Sequence, residues 1–233
     1  MTTEPATTRG QSRLRWIAWL FIIGSALFGL GATPFYADTV GLRVSSLTFF
    51  VGSLFFTAAA FLQYREAVDG LPAATGSHRG RFWVWAPGNI VWLACAVQLA
   101  GTLWFNWSTG NALRSNLGVE AEDQRVWRPD ALGSIAFLVA SVLAFLDASR
   151  GVVAGRSKPM DWWIGIVNLL GSIAFGVSAV AAYVLPSGNL RNAELSNLGT
   201  LVGAVCFLVG AILLLVPRKL DAPSTPGTTS QSS

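Results

Sequence analysis

The stretch 198–217, LGTLVGAVCFLVGAILLLVP, contains no Asp, Glu, Lys or Arg. A helix of that length rises about 30 Å, the thickness of the hydrocarbon layer of a bilayer. A surface helix of a soluble domain keeps one polar face, and this stretch has none. The stretch 16–36, WIAWLFIIGSALFGLGATPFY, is likewise free of charged residues. Working outward from these two, apolar segments stand at about 16–36, 44–64, 82–105, 131–149, 162–185 and 197–217. Backbone in hydrocarbon must satisfy its own hydrogen bonds, so runs of this length are expected to be helices. The alternating short segments of a membrane strand are absent. The expected fold is all-α and integral to the membrane, with six transmembrane helices.

Composition agrees. The 233 residues are 52% hydrophobic and 12% charged, with a mean hydropathy of +0.52, whereas soluble domains carry about 25% charged residues. A soluble enzyme, a disordered chain and a disulfide scaffold are excluded. Cys95 and Cys206 fall inside apolar runs and read as small hydrophobes. The net charge of +4 reads as topology and not as a nucleic-acid footprint, because no basic run interleaves with aromatics. With both ends on one side, that side holds Arg9, Arg13, Arg15, Arg65, Arg79, Arg81, Arg150, Arg156, Lys158, Arg218 and Lys219. The other holds Arg43, Arg114, Arg125, Arg128 and Arg191. Cytoplasmic loops are the basic ones, so both termini are expected in the cytoplasm. Trp16, Trp19, Trp83, Trp85, Trp162 and Trp163 then mark the inner interface, and Trp104, Trp107 and Trp127 the outer one. The run 9–32 has the basic start of a signal peptide, but its apolar part continues to Tyr36 and its pattern recurs later, so it is expected to stay as a membrane helix. Residues 1–13 and 219–233 lack the apolar content to order themselves and are expected to be disordered cytoplasmic tails.

The chain also repeats itself. Trp16, Gly24-Ser25, Phe28-Gly29 and Tyr36 match Trp163, Gly171-Ser172, Phe175-Gly176 and Tyr183. The third segment joins them with Asn89 opposite Asn168. Among the even segments, Gly41, Ser45, Phe49, Val51 and Gly52 are matched to Gly199, Gly203, Phe207, Val209 and Gly210, with Pro129, Gly133, Phe137, Val139 and Ala140 between. Three tandem parallel hairpins are expected, at 14–64, 81–149 (with an outer loop at 108–130) and 161–218. Gly24, Gly41, Gly52, Gly133, Gly171, Gly199, Gly203 and Gly210 are the candidate helix-packing positions, since small residues let helices approach closely where lipid supplies no hydrophobic drive.

A tryptophan-led helix with Gly-Ser in its middle, a short turn, and a second helix reading small-small-x-x-Phe-x-Val-small-small resembles the YrhK-like family of small bacterial membrane domains. The resemblance covers the hairpins and leaves out the tails. The middle copy departs most, with Pro87 and Trp92 in its first helix and a longer outer loop. It implies a bacterial membrane setting and no activity that could be carried over.

Ionisable residues within a span mark functional sites, and none falls in the middle of the six segments. Asp147 lies near an inner end, and His78 lies in the loop 65–81. Asn89, Gln98 and Asn168 are the candidate intramembrane polar residues, with Asn106 at the outer boundary. Asn89 and Asn168 are read as hydrogen-bonding across a seam, or else as lining a path. Pro87-Gly88 marks a helix start more than a binding device. Glu120, Glu122 and Asp123 sit among Arg114, Arg125 and Arg128 in a mixed-charge solvated loop whose spacing fits no calcium loop. The run GVVAGRSK at 151–158 lacks the order of a phosphate-binding loop. A non-enzymatic multi-pass inner-membrane protein of structural or partner-binding type is expected. Its partners are lipid and a membrane protein or a second copy, with no cofactor, metal or nucleic acid. The rival is a small-molecule carrier or channel with a path between the repeats.

Overall fold

Each helix begins or ends at a residue with a local reason. The computed structural model of the chain describes residues 6–72, 83–114, 117–153 and 160–217. Helix α1 (Ala6–Gly31) ends ahead of Pro34, which has no N–H to continue the ladder and opens the short α2 (Pro34–Val40). Gly41 then takes a φ of +83°, a left-handed value, and turns the chain into α3 (Leu42–Asp69). After a turn at Pro87-Gly88, α4 (Ile90–Ala112) opens on Asn89, whose Oδ1 accepts from the Trp92 N–H at 2.9 Å. The short α5 (Val119–Glu122) passes through a π-helical turn, Asp123–Trp127, into α6 (Arg128–Val153). Beyond α7 (Met160–Ala181), a tight turn brings Val184 against Leu190, and Asn192 caps α8 (Ala193–Leu215) by accepting from the Leu195 N–H at 2.9 Å.

Several expected boundaries shift. Residues 6–13, read as part of a disordered tail, are the first turns of α1. The first span stops at Gly31 and not Tyr36. The third begins at Ile90 and not at 82, so Asn89 is a helix cap rather than an intramembrane group. The expected loop 108–130 is mostly helical: α4 runs on to Ala112, and the Asp123–Arg128 ion pair (2.8 Å) and the Gln124–Glu120 hydrogen bond (3.1 Å) hold the helical turns that follow. His78, Arg79, Arg81, Arg156, Lys158 and the tail 219–233 lie outside the described residues.

Among the described residues, six helices are long and apolar enough to cross a membrane, at Gly10–Gly31, Leu42–Asp69, Ile90–Ala112, Val119–Arg150, Met160–Ala181 and Ala193–Leu215. The protein is thus a multi-pass membrane protein in its architecture. The distribution of side chains agrees. Leu47, Leu54, Ile135, Leu170, Val180, Leu198 and Ile212 point outward, whereas Ser25, Ser53, Thr102, Ser134, Ser141 and Ser172 are buried. In water this arrangement would expose the large apolar groups, but in lipid it leaves the small polar ones to the helix interfaces.

Packing joins α1 to α3, α3 to α4, α4 to α6, α6 to α7, α7 to α8, and α8 back to α1. The six spans therefore form a closed ring. Within α1–α3, α4–α6 and α7–α8 the contact has one chemistry. A Cβ on Gly24 would lie 3.0 Å from the Phe56 ring and 3.1 Å from the Gly52 carbonyl oxygen, and a Cβ on Gly52 would lie 2.9 Å from the Phe28 ring. Gly101 meets Phe137 (2.9 Å) and the Gly133 carbonyl (3.2 Å), while Gly133 meets Phe105 (3.0 Å). Gly171 meets Phe207 (3.4 Å) and the Gly203 carbonyl (3.1 Å), while Gly203 lies under Phe175. Each helix offers its glycine to the phenylalanine of its neighbour, and the backbones close to the distance that only a missing Cβ permits.

Candidate functional site

The same phenylalanines meet on the axis of the ring. Phe28, Phe105 and Phe175 come from α1, α4 and α7, with centroids 6.0–6.5 Å apart. Phe56, Phe137 and Phe207 come from α3, α6 and α8, 5.7–6.2 Å apart. The two triangles are joined by the pairs Phe28–Phe56 (5.4 Å), Phe105–Phe137 (5.1 Å) and Phe175–Phe207 (5.2 Å), mostly edge to face. All six rings are buried. Aromatic pairs at these separations attract through their quadrupoles, and together they fill the axis with hydrocarbon.

A polar space lies on either side of this plug. On the first side a cavity of about 80 Å³ is lined by Gln63, Gln98, Ser141 and Asn168 together with Phe21 and Leu214. Gln98, Asn168 and Phe21 each stand two turns before the phenylalanine of their own helix, and Gln63 and Leu214 two turns after theirs. The Gln63 Oε1 is buried with no hydrogen-bond partner among the described residues, and a chamber of this polarity and size can hold water. Asn168 also packs on α8, its Oδ1 2.5 Å from where a Gly210 Cβ would be.

On the second side a vestibule of about 260 Å³ is lined by Glu122, Asp130, Ser178, Asn197 and Thr200, with Trp127 and Phe49 in its wall. A recess at its base is formed by Asp130, Ser134, Ser178 and Thr200 over Phe28, Phe105 and Phe175. The wall is held by Ser178, which bonds the Ser196 carbonyl and the Thr200 hydroxyl at 2.7 Å each, and by the Trp127 indole N–H, which donates to the Ala179 carbonyl at 2.8 Å.

Of the expected polar residues, Gln98 and Asn168 are brought to one chamber and Asn89 is not. Asn106 serves the α3–α4 interface, donating to Thr57 at 2.8 Å. Of the expected packing glycines, Gly24, Gly52, Gly133, Gly171 and Gly203 form the reciprocal contacts. A Cβ on Gly199 would lie 2.8 Å from the Ala174 carbonyl oxygen, and one on Gly210 would meet Asn168. Gly41 is corrected: a Cβ there would meet nothing within 4 Å, and its positive φ explains it. The correspondence read between Gly41, Phe49 and Gly52 and the later copies is also corrected, since Gly52 and Phe56 occupy the positions of Gly203 and Phe207, two turns further on. Sequence reasoning missed Gly101, the plug and Asp130. The signal for the first two was a Gly-x-x-x-Phe spacing carried in every span: 24–28, 52–56, 101–105, 133–137, 171–175 and 203–207. For Asp130 it was a place two turns before Phe137, on the same helix face. Compared with known proteins, the chain matches no family model, and no curated protein or solved structure is significantly similar to it.

Proposed function

We propose that the chain is a non-enzymatic, multi-pass protein of the bacterial inner membrane, structural or partner-binding in role, with both termini cytoplasmic and an axis closed to solutes. It is built as three parallel copies of one helical hairpin. The six-phenylalanine plug carries the reading, because a close-packed apolar layer between two polar spaces excludes water and ions from a continuous path. The threefold recurrence of the glycine–phenylalanine contact supports the repeat, and the eleven-to-five division of Lys and Arg supports the orientation. Purified protein in liposomes should pass no ion or solute at a saturable rate, and tags on the two ends should report one compartment. Saturable flux through the wild-type protein would overturn the closed bundle.

The amide-lined chamber favours a second reading, a carrier whose plug opens in turn to each side. Asn168→Leu separates the two. A carrier shows saturable flux that this variant abolishes, whereas the closed bundle shows none in either form and Asn168 serves only its packing on Gly210.

A further inference from the structure

We propose that the vestibule above the phenylalanine plug binds a small organic ammonium cation, with Asp130 as its counter-ion. Asp130 makes no ion pair or side-chain hydrogen bond among the described residues, and a carboxylate in a membrane span is costly unless something compensates it. The nearest arginine in sequence, Arg128, is engaged with Asp123 at 2.8 Å. Ser134 gives a second, independent sign. It is 3% exposed and lines the same recess, and its hydroxyl has no partner among the described residues. The lining is partly aromatic, since Phe28, Phe49 and Trp127 border the vestibule and Phe28 with Phe105 and Phe175 closes the recess of about 20 Å³ at its base, and aromatic rings attract a weakly hydrated cation within about 6 Å. Glu122 adds a second carboxylate to the lining.

The chemistry selects an organic cation over a metal ion. Among the described residues no three His, Cys, Asp or Glu side chains gather to hold a metal, and hard divalent ions want about six oxygen ligands. A space of about 260 Å³ exceeds a bare ion and suits a molecule of small amine size. The site stands whether the bundle is closed or a carrier.

The test uses the full chain in nanodiscs, titrated calorimetrically with choline chloride, its neutral isostere 3,3-dimethylbutan-1-ol, sodium chloride and calcium chloride. Choline should bind saturably, and the neutral alcohol should bind about tenfold more weakly or worse, because it cannot pair with the carboxylate. Asp130→Asn should weaken choline by about the same factor while leaving the alcohol unchanged. Ser134→Leu, which fills the recess, should weaken both. If Asp130→Asn does not fold, the choline–alcohol ratio on the wild-type protein and the Ser134→Leu titration still decide. No saturable choline binding, equal binding of choline and the alcohol, choline binding unchanged in Asp130→Asn, or Asp130-dependent binding of sodium or calcium in preference to choline would each overturn the proposal.

Discussion

At the scale of the residue, one absent methyl group sets the distance between paired helices. A Cβ at Gly101 would stand 2.9 Å from the Phe137 ring, 3.0 Å from the Ala136 methyl and 3.2 Å from the Gly133 carbonyl. Backbone cannot give way as a flexible side chain can, so Gly101→Ala should cost about 1–3 kcal/mol of stability. The same change at Gly176, where a Cβ would meet nothing within 4 Å, should gain up to about 1 kcal/mol from helix propensity. Denaturation in mixed micelles measures both, and two losses of equal size would show that the contact geometry is not what distinguishes them. Gly41 is a third case. Its surroundings are open, yet its φ of +83° means that Gly41→Ala should cost about 1–2 kcal/mol through backbone strain alone.

At the scale of the element, polar contacts stitch one pair to the next. Ser53 and Thr109 meet at 3.0 Å between α3 and α4, and Ser141 and Ser172 at 2.7 Å between α6 and α7. A double-mutant cycle on Ser141 and Ser172 should return a coupling of about 0.6 kcal/mol and no more than about 2 kcal/mol, with the other helix pairs unaffected. Zero coupling would reduce that contact to coincidence of packing. The elements themselves were largely legible, since each span announces itself by a run of apolar residues. Their ends were less so. Trp83 to Asn89 is apolar enough to join a span, but the proline and glycine at 87 and 88 and the capping Asn89 hold it outside α4. The opposite happened between 119 and 130, where charged residues that suggested a loop form local pairs and the chain is helical.

At the scale of the whole molecule, the ring closes only because α8 returns to α1, and closure converts six separate phenylalanines into one plug. Removing two rings from one triangle should breach it. The double variant Phe28→Gly, Phe175→Gly should make liposomes leaky to protons and small ions where the wild-type protein is tight, with helical content retained. A tight double variant would mean that neighbouring side chains collapse into the gap, and the plug would lose its role as the barrier. Phe49, whose ring lies 5.4 Å from that of Phe28, is the side chain placed to do so. The vestibule belongs to this scale as well, because its lining comes from helices far apart in sequence.

The sequence by itself determined the surroundings of the chain and the number of its spans. These depend on local composition summed over about twenty residues, and no distant contact can change such a sum. It also carried the Gly-x-x-x-Phe spacing in every span. Only the tertiary structure decided which copy of each pattern faces the axis. A shift of seven residues rotates a helix face by only about 20°, so Phe49 and Phe56 occupy nearly the same face, and sequence periodicity alone did not separate them. Packing separated them, because Phe56 is the one that lies over Gly24. The same choice of register placed Gln98 beside Asn168 in one chamber and Asp130 above the plug.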